Sequence, residues 1–190
     1  ERHPKLARLS EWIANGRAGE MTYLADSLDE RLDPSQVLHS VRSIVSVAVV
    51  YNTEPPAAPA GDDPRAAISR YAWGDDYHDM MGGRLADLAG WMRDTAGPGF
   101  DARWSVDDGP VQEKVYAARA GIGWIGKNTC VINPGIGSWI LLGMLATNVD
   151  LDPDDEAVDL CGTCRLCVDA CPAGAFADPY VLDARRCLSY

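Results

Sequence analysis

Five of the six cysteines in this 190-residue chain lie between residues 161 and 187, and their spacing constrains the fold more than any other feature. The stretch CGTCRLCVDACP places Cys161, Cys164, Cys167 and Cys171 at C-x2-C-x2-C-x3-C-P, the spacing of bacterial iron–sulfur ligation. Three closely spaced thiolates reach three irons of one cluster, and the proline then turns the chain away. This crowding favours metal binding in a reducing compartment over disulfides.

The ligand count of this segment indicates two [4Fe–4S] clusters that the chain ligates only in part. In two-cluster ferredoxins the fourth cysteine of the motif ligates the other cluster, so Cys171 and Cys187 are natural ligands of a second one. Because each cluster takes four thiolates, we expect the missing ligands in a second cysteine motif beyond Tyr190. A structural zinc site and free thiols are the alternatives, but zinc sites usually pair two separated knuckles. Cys130 is expected to be a buried hydrophobic residue.

The stretch AGIGWIGKN contains Gly121, Gly123 and Gly126 at the G-x-G-x-x-G spacing of dinucleotide-binding loops. That fingerprint requires a strand before the glycines and a helix after them. Here residues 110–120 predict a helix that precedes the glycines, and residues 128–133 predict a strand that follows them. We therefore expect a helix C-cap at Gly121 and no nucleotide-binding loop.

Alternating helical and strand patterns before the cysteines indicate an α/β fold. The patterns predict an opening helix that ends near Gly16, a strand over Ser43–Tyr51, a loop over 53–64, a helix over 77–92 and strands within 98–107 and 138–146. Residues 150–159, DLDPDDEAVD, are typical of a solvated linker. They predict a boundary between a domain of residues 1–149 and a second one of residues 150–190.

The composition limits the partners of the chain. A formal net charge of −11 argues against nucleic-acid binding by this part alone, because binding phosphates needs clustered Lys and Arg. No apolar run approaches the length of a membrane span, so we expect no membrane partner.

Several stretches, in this order and at these separations, resemble the epoxyqueuosine reductases, the cobalamin and iron–sulfur enzymes of queuosine-tRNA maturation. They are RLDPSQVLHSVRSIVSVAVVYN, SRYAWGDDYH, VDDGPVQEKVYAARAGIGWIGKNTCVINPGIGSWILLG, CGTCRLCVDACPAGAF and DARRCLSY. The resemblance implies a cobalamin-binding α/β core over residues 1–149, followed by the start of a ferredoxin-like two-cluster domain over 150–190. A second cysteine motif and a helical repeat domain would follow. The glycine turn would shape the cobalamin pocket, where backbone passes close to the corrin ring.

The implied reaction removes the epoxide oxygen from a modified base in the tRNA anticodon and leaves an alkene. It consumes two electrons and two protons and releases water. The two [4Fe–4S] clusters would pass electrons singly to cobalamin while an acid protonates the oxygen. The implied partners are epoxyqueuosine-containing tRNA and an external electron donor of flavodoxin or ferredoxin type. We expect a cytoplasmic monomer whose positive surface for tRNA lies largely in the repeat domain.

The resemblance also implies the site residues. Asp107, in SVDDGP, matches the family's proton donor. If the match to the family is displaced by one residue, Asp108 is the proton donor instead. Otherwise we expect Asp108 to be the N-cap of the following helix. The implied cobalamin contacts are Arg31, Tyr71, Asp107, Asn128, Gly137 and Ser138.

Several of these residues also have structural interpretations. Arg31 would pair with Asp33, Asn128 would close its own turn, and Gly137–Ser138 would form a hairpin. Lys127 is expected either to reach a phosphate of cobalamin or tRNA or to be solvated.

Two other functions stay open on the sequence. A reductive dehalogenase-like corrinoid enzyme shares the cobalamin and the two clusters but acts on organohalides, and such enzymes usually carry a twin-arginine export signal that is not visible here. A ferredoxin-type electron carrier needs the cysteines alone, so the long α/β region before them disfavours it.

Overall fold

The structure, a computed structural model, describes residues 4–55, 66 and 68–190. Its helices are α1 (Pro4–Ala14), α2 (Tyr23–Asp26), α3 (Leu28–Leu32), α4 (Tyr77–Ala96), α5 (Glu113–Arg119) and α6 (Leu166–Asp169). Its strands are β1 (Ser43–Val50), β2 (Ala102–Ser105), β3 (Trp124–Ile125), β4 (Val131–Ile132), β5 (Ile140–Thr147), β6 (Phe176–Asp178) and β7 (Val181–Leu182). Short 3-10 turns lie at Pro34–Gln36, Arg70–Ala72 and Ala184–Arg186. No described helix has both the length and the apolar character needed to cross a bilayer.

The main sheet has three antiparallel strands in the order β1-β5-β2. All eight residues of β1 pair with β5, from Ser43 opposite Thr147 to Val50 opposite Ile140. The two long β-branched and apolar runs of the sequence therefore become neighbours, which confirms both predicted strands. Although helices and strands alternate along the chain, the sheet is antiparallel because β5 returns between β1 and β2.

Helices cover the two faces of this sheet, which gives a mixed α/β fold of three layers. Side chains alternate along a strand, so Leu145 and Met144 of β5 point to opposite faces. Leu145 packs with Met81 and Leu85 of α4. Met144 packs in a second buried cluster with α1 and with Tyr116 of α5. Gly143 makes room for α4, since a Cβ there would lie 3.1 Å from Met81 Cε.

The helices largely follow the predictions, with one error. α1 ends at Ala14, before Gly16, which has a φ of +67°. α5 begins at Glu113 rather than at residue 110, because residues 107–111 form a tight turn in which the Val111 N–H donates to Gly109 O at 2.8 Å. Residues 56–64 of the predicted loop lie outside the described residues.

The cysteine segment contacts the beginning of the chain. The indole N–H of Trp12 donates to the carbonyl of Leu182, 170 residues later. The Ala184 N–H donates to Arg17 O at 3.0 Å, and the Glu20 N–H donates to the Tyr190 hydroxyl at 2.6 Å. The second part of the chain is therefore packed on α1 and the residues that follow it.

The predicted acidic linker lacks regular secondary structure and is largely exposed. Contacts nevertheless hold it to the core: Glu156 pairs with Lys5, and Asp150 pairs with Arg42 at 2.6 Å. The Ala157 N–H donates to the carbonyl of Ala118 in α5 at 2.9 Å.

Candidate active site

Asp107 lies at the centre of a strained turn that directly follows β2. Its φ is +63°, in the left-handed region that non-glycine residues seldom occupy. Its N–H donates to Glu113 Oε1 at 2.9 Å, and the preceding N–H of Val106 donates to Asp108 Oδ1 at 3.1 Å. Side chains from both sides of the turn therefore hold Asp107 in place.

The predicted capping role of Asp108 is wrong. The N-cap of α5 is Gln112, whose side chain makes no capping hydrogen bond. Asp108 instead accepts the N–H of Val106. The reason is the late start of α5, which leaves Asp108 four residues too early to cap it.

The Asp107 carboxyl is exposed but has a partner in Tyr77, whose hydroxyl donates to Oδ2 at 3.0 Å. Burial and this hydrogen bond raise the pKa of Tyr77, so its hydroxyl keeps its proton. The Tyr71 ring meets the Tyr77 ring edge-on, with centroids 6.3 Å apart. Tyr71, predicted to contact the cofactor, is thus connected to Asp107 through one intervening ring.

Glu113 is a site residue that sequence reasoning missed. Burial, first, and the charges of Asp107 and Asp108 raise the pKa of Glu113 from 4.5 to about 7, although the N–H of Asp107 opposes this rise. An acid in the first turn of a helix is ordinary, because the helix dipole favours it there. Nothing in the local sequence indicates that this one faces other acids in a part-buried site.

Glu113→Gln is expected to remove a pH-dependent loss of stability. Between pH 4.5 and 7 the unfolded chain releases this proton while the folded chain keeps it, so rising pH destabilises the fold across that window. Above pH 7 this effect lowers the free energy of unfolding by about 1–2 kcal/mol, a value reduced for the partial exposure of the Glu113 side chain. Urea unfolding at pH 5 and pH 8 measures it, with the exposed Glu11→Gln as matched control. The prediction would be wrong if the free energies of unfolding of wild type and Glu113→Gln differed by the same amount at pH 5 and at pH 8.

A cavity of about 710 Å³ lies against this turn. Its wall includes Arg31, Asp107, Glu113, Trp124, Thr129 and Tyr180. In the described part of the chain, the non-glycine residues with positive φ are Asp107, Thr129 and Tyr180, and all three line this cavity. Because backbone strain clusters where a site demands it, this cavity is the candidate active site.

The other predicted cofactor contacts lie elsewhere. The Asn128 side chain accepts the N–H of Cys130 at 3.1 Å and so closes its own turn. Gly137, with a φ of +71°, exchanges two 2.9 Å hydrogen bonds with Asn133 in the hairpin between β4 and β5, and Ser138 follows it at an exposed position. Among the residues that the structure describes, only Arg31 and Asp107 of the predicted set line the cavity.

The segments that carry the other predicted contacts also carry exposed aromatic rings, Tyr71 and Trp73 on one and Trp139 on the other, which we call the aromatic surface. These three rings are 40–51% exposed. The Arg70 guanidinium lies 4.6 Å from the Trp139 ring centroid and 5.4 Å from that of Trp73, so it connects these two rings. Exposed aromatic clusters of this kind mark ligand or partner sites.

The glycine stretch is a helix exit, as predicted. The Ile122 N–H donates to Ala117 O and the Gly121 N–H to Ala118 O, at 3.0 and 3.3 Å, which is a Schellman cap. Strand β3 then follows, so the order is helix, glycine, strand.

Gly123 and Gly126 lie close to a neighbouring strand. A Cβ on Gly123 would lie 2.3 Å from the carbonyl oxygen of Ile132, and one on Gly126 would lie 2.4 Å from Ile132 Cδ1. The close approach that requires glycine is therefore to strand β4.

The first cysteines of the motif lie beside the β3–β4 hairpin. The Trp124 indole N–H donates to Cys161 Sγ at 3.3 Å, and the Ala175 N–H donates to Cys171 Sγ at 3.4 Å. Such N–H donors suit thiolates that carry charge. Within the described residues, no three His, Cys, Asp or Glu side chains gather tightly enough to hold a metal ion. Cys130 is partly exposed, so its prediction as a buried residue is wrong.

Comparisons with known proteins agree with this arrangement. The family model "Epoxyqueuosine reductase QueG, DUF1730" matches residues 31–108, and the "4Fe-4S double cluster binding domain" matches residues 160–190. An epoxyqueuosine reductase of Gloeobacter violaceus is 48% identical over 183 residues, which are 96% of this chain and 56% of that protein. The chain is similar to epoxyqueuosine reductases over nearly its whole length. It spans about half the length of the family members that it matches.

Solved epoxyqueuosine reductases share the fold. A crystal structure with an epoxyqueuosine-modified tRNA-Tyr stem loop has a TM-score of 0.88 at 31% identity and covers 100% of this chain and 50% of that one. The Bacillus subtilis enzyme, with an aspartate-bearing catalytic loop swung out of the active site, has the same TM-score at 30% identity and the same coverage. The match therefore includes both the sheet and the cysteine segment.

Proposed function

We propose that the protein to which this chain belongs reduces epoxyqueuosine in the tRNA anticodon to queuosine. Residues 1–149 supply the acid and the cofactor site, and residues 150–190 begin the iron–sulfur domain. One observation carries the proposal: a single cavity has Asp107 on its wall and also Trp124, whose indole contacts Cys161. The proposed acid therefore lines the same cavity as a side chain that contacts a proposed cluster ligand.

The reaction needs two protons and two electrons, because the epoxide oxygen leaves as water. Asp107 gives a proton to that oxygen, and the Tyr77 hydroxyl then stabilises the carboxylate that remains. Glu113 is a further acid on the same wall, with a pKa of about 7 that leaves it partly protonated near neutral pH. A catalytic loop that carries an aspartate in the Bacillus subtilis enzyme supports an aspartate as the acid.

Cobalamin fits the chemistry of this site. A corrin ring presents broad apolar faces edged with amide groups, which suits the aromatic surface and the polar wall of the cavity. Arg31 and Asp107 would hold it from the cavity, and Tyr71, Asn128, Gly137 and Ser138 are the remaining proposed contacts. When bound, cobalamin would supply the one-electron chemistry that reduction of the epoxide needs.

The cysteines divide between two [4Fe–4S] clusters in this proposal. Cys161, Cys164 and Cys167 ligate one, whereas Cys171 and Cys187 ligate the other. The epoxyqueuosine-modified tRNA stem loop bound to a relative supports tRNA as the substrate. The enzyme then works as a cytoplasmic monomer with a flavodoxin or ferredoxin as electron donor.

The test is anaerobic purification of the full-length protein, with its absorbance spectrum and analysis of iron, sulfide and cobalt. We expect corrin and iron–sulfur absorbance, and conversion of an epoxyqueuosine-modified stem loop to the queuosine form when a reductant is added. Reduction of an organohalide without action on the stem loop would favour the dehalogenase alternative. Clusters without corrin, and no conversion, would favour an electron carrier.

A further inference from the structure

Lys127 holds the first cysteine loop against the β3–β4 hairpin. It is 8% exposed, and its ammonium donates to Gly162 O at 2.6 Å and Cys164 O at 2.8 Å. A buried charge needs partners of this kind, since leaving it unpaired is costly. The expectation that Lys127 is solvated or binds a phosphate is therefore wrong, because its charge is directed at the loop between two cysteines.

Trp124 contacts the same loop through sulfur. Its indole N–H can only donate, and it donates to Cys161 Sγ at 3.3 Å. Because Trp124 also lines the candidate active-site cavity, one side chain joins the cavity wall to the first cysteine.

A second pair of residues, Asp159 and Tyr180, also holds the loop. Asp159 accepts the Cys161 N–H at 2.8 Å and the Tyr180 hydroxyl at 2.6 Å. The Tyr180 N–H donates to Lys127 O at 3.0 Å, which closes the network. The position of Cys161 is thus determined by contacts to its sulfur, to its own amide and to the adjacent Gly162.

We propose that Trp124 and Lys127 form the docking site of the first cysteine loop and raise the reduction potential of the iron–sulfur cluster held there. The inference rests on the iron–sulfur part of the proposed function. Adding an electron makes a cluster more negative, so a nearby ammonium and an N–H···S hydrogen bond stabilise the reduced form more than the oxidised form. Hydrogen bonds to cluster sulfurs are among the known determinants of cluster potential.

Trp124→Phe in the full-length, cluster-loaded protein tests this inference, because it removes the N–H and keeps an aromatic ring. We expect the midpoint potential of one cluster to become more negative by about 59 mV, which is a tenfold change in the equilibrium constant for a one-electron couple. A redox titration monitored by EPR measures this potential. Trp91→Phe, on α4 and 65% exposed, is the matched control and should leave the potential unchanged. Equal potentials in the two variants would overturn the inference.

Lys127→Met and Lys127→Arg provide a second test. The methionine variant loses the charge and both donors, so it should shift the potential in the same direction as Trp124→Phe, whereas the arginine variant should shift it less. Iron analysis separates the possible failures. Wild type without iron would overturn the proposed function, whereas fully loaded Lys127→Met with an unchanged potential would overturn only the role of the charge. Loss of iron from Lys127→Met alone would support docking.

Discussion

Replacing Asp107 with asparagine is expected to lower turnover of epoxyqueuosine by roughly 10²–10⁴-fold in the full-length enzyme, the usual range for general acid catalysis. Asparagine keeps the size of the side chain and can still accept the Tyr77 hydroxyl, but it has no acidic proton. Cobalt and iron contents should stay near wild type, because no proposed cluster ligand changes and asparagine keeps the size and a hydrogen-bond acceptor of this proposed cobalamin contact. Single-turnover conversion of the modified stem loop under anaerobic conditions measures the effect.

Asp108→Asn is the matched control for the adjacent position. The Asp108 side chain accepts the N–H of Val106, and an asparagine carbonyl can accept the same hydrogen bond, so activity and stability should change little. Normal activity in Asp107→Asn with loss in Asp108→Asn would assign the acid to Asp108. Normal activity in both variants would remove the two aspartates from the mechanism and leave Glu113 as the acid to test.

Gly123→Ala is expected to destabilise the protein by about 3 kcal/mol, at the upper end of ordinary overpacking. The new methyl group would lie 2.3 Å from Ile132 O and 2.6 Å from the Ile132 carbonyl carbon. Backbone atoms cannot rotate aside as a flexible side chain does, so the β3–β4 hairpin has to open. Because Trp124 and Lys127 lie on this hairpin, the variant should also release the first cysteine loop.

Urea unfolding of Gly123→Ala beside Gly83→Ala measures this effect. A Cβ on Gly83, within α4, meets no atom within 4 Å, and alanine favours a helix interior by about 0.5–1 kcal/mol over glycine. The two substitutions make the same chemical change and should act in opposite directions. A stability of Gly123→Ala within about 0.5 kcal/mol of wild type would refute the close contact with Ile132.

Long periodic segments were predictable because their pattern repeats over many residues. The β1 run, the apolar face of α4 and the glycine that ends α5 all carry local signals, and the structure confirms each. The helical pattern before Gly121 also argued against a dinucleotide-binding loop, because such a loop follows a strand. Strand order was not predictable, since the return of β5 between β1 and β2 depends on contacts far apart in sequence.

The site depended on tertiary contacts that no short stretch encodes. Asp107 was recognisable from its family resemblance, but its left-handed backbone and its hydrogen bond to Glu113 were not. Lys127 looked like an ordinary surface cation, and only the packing of the cysteine loop shows what it binds. Gly123 looked like part of a ligand-binding loop. Its close contact with Ile132 was not predictable, because Ile132 belongs to β4, a strand of only two residues that gives little signal in the sequence.

The contact between Trp12 and Leu182 sets an order of events during synthesis. At about 5–20 residues per second, a ribosome needs roughly 9–34 s to make the 170 residues that separate them. During that interval the indole of α1 lacks its later partner, and the central strand β5 is complete only at Thr147, before Leu182 is made. The cysteine segment is therefore synthesised after every strand of the main sheet, so its contact with α1 is among the later ones that this chain can form.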